Sequence, residues 1–500
     1  MKSNFLKSLL YSYGSVALTS LIGFITLPLS LNYFGKDLFG LFSITNDTLA
    51  YLALFNFGIP WAAATIFAKL LNYRAQKELL FKSLKLLFLL CIIMTGIVST
   101  IAFLYPNWIH FIAQINNNIL PSAKLFISVS VIFFIIRLPF SLFGQLLIFI
   151  NRVYISKIID IFSSLLAFGS LLLVIHFKLS IVQYAIISGF ISLLPLFLSI
   201  LIFIRIWRRE SLPCSVYNSE STSYRHLMSS SFYFFLNGIG GLIIWNTDSI
   251  VISHYLGLGE TAEYAVMFKF FTILFMIITQ IMNVVNPLFP KFVKEDKRDN
   301  LSQLFNVLTR IFPVVGGFIF IIMFGFFKEF VILWTHNSSI FIGSLSCFAM
   351  GLYCYFLCSS VVPYSAIVSL NYAKEIYKLT LLEAIVNLIL SIYFITKIGI
   401  AGVVFGTLIA HVVTMFILVP LKLDKLMPNL FKFDFFFIIK HILFAIIPVS
   451  CMIYYLNTCS FNLTKMLFSI LVFIFYFAVS SIIVGKKNIL EVLQLIKVLK

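Results

Sequence analysis

The chain has 500 residues, 61% hydrophobic and 11% charged, with 58 Phe and a formal net charge of +18 from 36 Lys+Arg against 18 Asp+Glu. Soluble proteins run at about 45–50% apolar and about 25% charged, so a secreted, nuclear or cytosolic globular protein is excluded. One bilayer-spanning helix needs roughly 20 apolar residues, and about 14 such helices would use most of the apolar content here. The expectation is an all-α polytopic membrane protein with 14 transmembrane helices and both termini cytoplasmic.

Apolar runs interrupted by Pro, Gly, Asn and charge predict spans one to six at about 9–33, 38–66, 84–105, 125–150, 155–177 and 180–204. Spans seven to twelve fall at about 229–256, 264–289, 303–326, 341–369, 376–397 and 400–421, and spans thirteen and fourteen at about 434–456 and 463–484. The basic opening, Met1-Lys2-Ser3-Asn4-Phe5-Leu6-Lys7, precedes an apolar run too long for a removed signal, so it is retained as span one. The domain expectation is an N-terminal lobe over 1–210, a cytoplasmic connector over 211–226 and a C-terminal lobe over 227–421. Residues 422–500 would carry spans thirteen and fourteen and a cytoplasmic tail.

Charge tests that count. With the N-terminus inside, the even-numbered gaps, the two ends and their flanks hold 28 of the 36 Lys and Arg. The outer gaps hold six (Lys36, Lys124, Lys178, Lys328, Lys397 and Lys465), and Arg137 and Lys269 fall within spans. This is the alternation expected when basic loops stay in the cytoplasm. The positive balance therefore reads as attraction to anionic lipid, not to nucleic acid. Cys354 and Cys358 share a helix face, but no His or carboxylate lies at matching spacing, so no metal or other cofactor is expected.

Spans one to six and seven to twelve look like a repeat offset by about 222 residues, with Gly35 matching Gly257 and Asp160 matching Glu383 in depth. Two six-helix lobes would then share one orientation, related by an axis along the membrane normal. Chance likeness between Gly- and Phe-rich helices is the alternative.

Tyr33-Phe34-Gly35, Phe39-Gly40 and Phe57-Gly58-Ile59-Pro60 resemble the opening of the polysaccharide-transport flippases, which include the Wzx-type O-antigen flippases of the multidrug/oligosaccharidyl-lipid/polysaccharide exporter superfamily. Asp248-Ser249-Ile250-Val251-Ile252, Tyr255-Leu256-Gly257 and Glu263-Tyr264-Ala265 resemble the start of that family's second lobe. Glu383, Asn387 and Lys397-Ile398-Gly399-Ile400-Ala401-Gly402-Val403 resemble its spans eleven and twelve. The resemblance implies a flippase for undecaprenyl-pyrophosphate-linked sugar repeat units in a bacterial inner membrane. It also implies membrane lipid and a polysaccharide polymerase complex as partners.

An ionisable group inside a span costs about 2.5–3.5 kcal/mol on insertion scales and by default faces a cavity or a partner. Arg137 lies about 12 residues into span four, roughly 18 Å deep. It either grips pyrophosphate from the central cavity, as a guanidinium does bidentately, or staples two helices. Asp248 and Lys269, at similar depth on adjacent spans, read as a buried pair, with Lys269 as a substrate contact second. Asp160 and Glu383 in the inner half suit ion coupling, or are neutralised by Lys157 and Lys378. Asp47, with Asn46 and Asn56, either lines the first lobe or forms a helix-bending polar patch. His411 reads as a satisfied interior histidine or a proton relay, and Gly316-Gly317 beside Pro313 as a hinge.

Three other readings meet obstacles in the sequence. A cation-coupled multidrug exporter of the same superfamily usually has about twelve spans and an acidic residue in span one, which is absent here. A lipid II flippase has fourteen spans, but span one here lacks Arg. A membrane polymerase tends to carry catalytic groups in a large external loop, and the longest external gap, 106–124, has no acid or Arg. The chain is therefore not expected to be an enzyme. Fusions test the topology: a phosphatase after Lys178 should be active, and a fluorescent protein after Lys500 should fluoresce. Phosphatase activity at Lys500 would remove the fourteen-span count.

Overall fold

The computed structural model describes residues 2–446 and Tyr476, apart from 68–69, 71–72, 106–107, 110–112, 116–117, 151, 211–223, 287, 338–339, 341–342, 371, 429 and 445. Most of the expected connector, the end of the thirteenth span and nearly all of the fourteenth lie outside the described residues. The described residues form helices and turns with no strand. In hydrocarbon every backbone N–H and C=O must find its partner within the segment, and a helix does that. Eleven described helices are long and apolar enough to cross a membrane, and in order they match expected spans one to six and eight to twelve. The helix Tyr224–Tyr255 stands at the seventh place, and Phe435–Phe444 is the described part of the thirteenth. The chain is a multi-pass membrane protein.

By internal contacts the chain divides into residues 1–262 and 263–500. The first unit contains α1 (Lys2–Phe34), α2 (Lys36–Leu52), α3 (Ile59–Phe67), α4 (Tyr73–Leu104), α5 (Leu120–Arg137), α6 (Ser141–Phe149), α7 (Val153–His176), α8 (Ile181–Glu210) and α9 (Tyr224–Tyr255). α9 packs along α2 and α3. The helix α10 (Leu258–Val285) begins at its end and runs into the second unit.

Several expected spans are not single straight helices. Span two breaks after α2, where Phe57 and Gly58 adopt φ of 49° and 71° and the Gly58 N–H donates to Asn56 Oδ1 at 2.8 Å before Pro60 starts α3. Span four breaks into α5 and α6 through a 3-10 turn, Leu138–Phe140. Pro139 explains the turn: it has no N–H for the carbonyl of Ile135 and its ring crowds that oxygen. The Cys91 thiol of α4 donates to the same carbonyl at 3.6 Å. Span three starts earlier than expected, at Tyr73. The added turns are amphipathic: Trp207 stacks on Tyr73 at 4.7 Å and donates from Nε1 to Gln76 at 2.7 Å.

Two apolar clusters fill the first unit. One gathers Ile59, Phe67, Leu79, Leu87, Met94, Leu138, Leu142, Leu146, Phe203 and Leu227. The other gathers Leu41, Ile44, Phe126, Ile127, Val131, Ile181 and Leu258. Each helix that crosses both passes through a level between them, and that level holds the polar residues of spans two, four and seven.

The second unit contains the rest of α10, α11 (Leu288–Lys294), α12 (Arg298–Gly325), α13 (Phe327–Thr335), α14 (Ser344–Ser369), α15 (Ala373–Ile398), α16 (Ile400–His411), a π-helical turn (Val412–Leu418), α17 (Val419–Leu426) and α18 (Phe435–Phe444). Its tightest seams are lined by glycine, as expected where helices associate without a hydrophobic driving force. A Cβ on Gly402 would lie 2.3 Å from the Phe394 carbonyl oxygen, so α15 and α16 meet backbone to backbone. Gly316 sits against Tyr355 and Cys358 of α14, and a Cβ on Gly317 would run into the Tyr476 hydroxyl. Gly316-Gly317, expected as a hinge, thus lies inside unbroken α12 as a packing notch, with Pro313 within the same helix.

Turn geometry repeats along the chain. Gly35 (φ 81°) and Gly257 (φ 111°) supply left-handed turns at the ends of spans one and seven. Lys178 (φ 52°) and Gly399 (φ 62°) do so after spans five and eleven.

Overpacking a tight seam costs typically 1–3 kcal/mol. Gly402→Ala should therefore lower the melting temperature of the purified protein, whereas Gly96→Ala, with nothing within 4 Å of the new Cβ, should leave it unchanged. Equal melting temperatures would refute the backbone contact.

Candidate functional site

The first unit's polar level joins span two to span seven. Asp47 on α2 accepts a hydrogen bond from the Ser249 hydroxyl on α9. One helical turn further, Tyr51 hydrogen-bonds Thr247. Asp248, between these two partners, is buried, and the Tyr51 hydroxyl lies within electrostatic reach of both Asp47 and Asp248. Asp47 and Tyr51 are four apart on α2, so they project from one face. Thr247 and Ser249 answer them across the helix pair. The result places two carboxylates, a phenol and two hydroxyls at mid-level in an apolar unit.

Along span four, Arg137 lies between Val131 of one apolar cluster and Leu138 of the other. It is the last residue of α5 and is exposed. Among the described residues its guanidinium enters no hydrogen bond or ion pair. The Pro139 break keeps the chain from continuing as a straight helix past it, and the carbonyl end of α5 favours a cation there.

The second unit holds a deeper site built from α14, α15 and α16. Glu383 and His411 are buried, with Glu383 Oε1 2.7 Å from His411 Nδ1. His411 Nε2 is 2.8 Å from Ser360 Oγ. The Ser360 hydroxyl also reaches the Leu357 carbonyl at 3.2 Å, so it either donates there and accepts from Nε2 or donates to Nε2. The Tyr353 ring stands edge-on to the imidazole at 5.4 Å. One turn along α15, Asn387 Oδ1 accepts from Ser391 Oγ at 2.8 Å and from Thr407 Oγ1 at 3.2 Å. The Asn387 amide nitrogen is buried and has no partner among the described residues.

This arrangement can hold and move a proton. The imidazole sits between a carboxylate and a hydroxyl, so protonating either end rearranges the same two hydrogen bonds. Directly after His411 the helix widens into the π-helical turn, and Pro420 follows. Proline lacks the N–H that would close the preceding α-helical turn, and single-turn π segments concentrate at functional sites.

The remaining expected groups fall elsewhere. Asp160 is exposed and pairs with Lys157 at 2.9 Å, three residues earlier. Glu383, its match by depth, is held by His411, while Lys378 is exposed. Lys269 is exposed on α10, and among the described residues its ammonium enters no hydrogen bond or ion pair. Among the described residues no three His, Cys, Asp or Glu gather as a metal would need.

Sequence reading missed the partners: Ser360, His411 as a ligand of Glu383, Tyr51, Thr247 and Ser249. A signal for part of the second site exists. Glu383, Asn387 and Ser391 recur every four residues on one helix, and Thr407 and His411 stand four apart on the next, so both carry polar groups on one face.

Comparison with known proteins places the chain. Residues 5–293 match the family described as "Polysaccharide biosynthesis protein". A Salmonella typhimurium (strain LT2) protein named "Putative O-antigen transporter" is 28% identical over 213 residues, 41% of this chain and 48% of the relative. The match thus spans about half the length of that curated relative. Among solved structures, lipid II flippase MurJ in an inward closed conformation has a TM-score of 0.66 at 17% identity, covering 94% of this chain and 98% of that one. A Vibrio cholerae MATE transporter has a TM-score of 0.59 at 10% identity, covering 86% and 98%. At these identities the structural likeness establishes the fold alone.

Removing one side of a buried hydrogen-bonded pair costs about 1–3 kcal/mol for the group left behind. Glu383→Ala should lower the melting temperature in detergent, whereas Glu383→Gln retains an acceptor for His411 Nδ1 and should stay near the parent. Equal losses in both variants would show that the carboxyl oxygen is not what holds His411.

Proposed function

The chain belongs to the polysaccharide biosynthesis protein family, and from that premise we propose that it is a flippase for undecaprenyl-pyrophosphate-linked oligosaccharide repeat units. It would carry them by alternating access across the bacterial inner membrane, for O-antigen or another surface polysaccharide. Both termini would then face the cytoplasm, and fourteen spans would be arranged as two six-helix lobes plus two C-terminal helices. The observation that carries the reading is Arg137: an exposed cation within a membrane-spanning segment, at a helix break, with no ion pair among the described residues. A cation held there without a protein anion suits an anionic ligand that comes and goes.

In this reading the head group enters from the cytoplasmic side while the polyprenyl tail stays in lipid. Arg137 presents two N–H donors to the pyrophosphate, a geometry lysine cannot reproduce. Lys269, exposed on α10 in the second unit, is a further candidate contact for an anionic group. Asp47, Asp248 and their hydroxyl partners supply acceptors and donors for sugar hydroxyls. Glu383 and His411 form the energy link: a proton bound from one side and released to the other changes the hydrogen bonds that join α14, α15 and α16. Asp160, exposed and paired with Lys157, takes no part. The chain acts as a carrier, not an enzyme, and hands its product to a polysaccharide polymerase.

The MATE-like fold favours one other reading, a cation-coupled multidrug exporter. Both readings are tested in cells lacking their own flippase. Arg137→Ala should abolish surface polysaccharide at matched protein level, and Arg137→Lys should restore it only in part. Unchanged polysaccharide in Arg137→Ala would remove Arg137 from the mechanism. Raised drug resistance without polysaccharide rescue by the parent chain would decide for the exporter.

A further inference from the structure

Apart from the groups already described, the second unit carries a cleft of about 770 Å3. One wall is the first part of α12, which contributes Asp299, Asn306 and Arg310; the other is the entry to α18, which contributes Lys432, Asp434 and Phe437. The two walls come from segments more than a hundred residues apart. Asp299, Asn306 and Arg310 recur at helical spacing, so one face of α12 looks into the cleft.

Its charges do not cancel within the protein. Two cations and two carboxylates line one space, yet among the described residues none of the four joins an ion pair. The Arg310 guanidinium lies 5.7 Å from the centroid of the Phe437 ring. Asp434 Oδ1 accepts the Phe437 N–H at 2.9 Å, which starts α18. Lys432 is exposed. Exposed opposite charges gain little by pairing in water, so the four remain available to a ligand that carries both signs. The cleft also lies at the basic end of its helices. α12 follows the Lys/Arg-rich stretch 291–298, and Lys432 ends the basic connector 422–432. That is the level at which lipid head groups meet the protein.

We propose that this cleft binds the head group of a zwitterionic phospholipid. The phosphate sits on Arg310 and Lys432, the ammonium on Asp299 and Asp434, and the Phe437 ring faces the acyl-chain side. The bound lipid bridges α12 to the start of α18. The contact proposed for the transported head group, Arg137, belongs to the first unit, whereas this cleft is lined wholly by the second. An anionic phospholipid answers only half of the cleft.

The test uses the full chain purified in detergent and follows its melting temperature against dihexanoyl-phosphatidylethanolamine, dihexanoyl-phosphatidylglycerol and inorganic phosphate. The ethanolamine lipid should stabilise at concentrations about tenfold lower than the other two, roughly 1.4 kcal/mol of preference. Arg310→Gln should abolish the stabilisation. Asp434→Asn, which keeps the acceptor for the Phe437 N–H, should reduce the ethanolamine lipid to the level of the glycerol lipid. Should Arg310→Gln fail to accumulate, the exposed Lys432→Gln takes its place with the same expectation of weakened binding. Equal midpoints for the two lipids would overturn the zwitterion assignment, and competition by phosphate alone at equal concentration would overturn the lipid assignment. Midpoints unchanged in the variants would overturn the site.

Discussion

Everything in this protein follows from one constraint: inside hydrocarbon, a polar group must find its partner within the protein. The helices satisfy it for the backbone, and each departure from a helix has a named compensation. Where Pro139 withdraws a donor, the 3-10 turn and the Cys91 thiol turn to the Ile135 carbonyl. Where span two breaks, Asn56 receives the Gly58 N–H. Where α16 ends, the π-helical turn takes up the register before Pro420.

The same constraint sorts the ionisable side chains into two kinds. Glu383 and Asp47 are held by His411 and Ser249, each on another helix. Arg137, Lys269 and Arg310 have no protein anion among the described residues. Burying an acid against a hydrogen-bond partner costs little once the partner is in place, whereas breaking that arrangement is expensive. Exposed cations without partners keep their binding capacity for something else. The proposed carrier would use Arg137 in this way, and the proposed lipid site would use Arg310.

The repeat expected from the sequence has a counterpart in the turns and none in the side-chain chemistry. Gly35 and Gly257, and Lys178 with Gly399, place left-handed residues at matching junctions because each pair of helices must reverse direction in few residues. Asp160 and Glu383, matched in depth, have opposite fates: one is an exposed pair with Lys157, the other a buried partner of His411. The second unit's helices pack closely where their seams stay small, as at Gly402 and Gly406.

Span order, most span limits and the alternation of basic gaps were legible in the amino-acid sequence, because hydropathy and charge are properties of contiguous residues. The helix breaks were only half legible: Pro139 and Pro60 marked them, but not that Cys91 would meet the freed carbonyl of span four. The polar residues of the candidate sites were visible as exceptions within apolar runs, yet their partners were not. Glu383 lies 28 positions from His411 and 23 from Ser360, and Asp47 lies about two hundred from Ser249. Those meetings depend on how closely helices approach, which glycine seams and ring packing decide in three dimensions. A linear pattern can announce that a charge needs a partner; only the packing of helices chooses which one it receives.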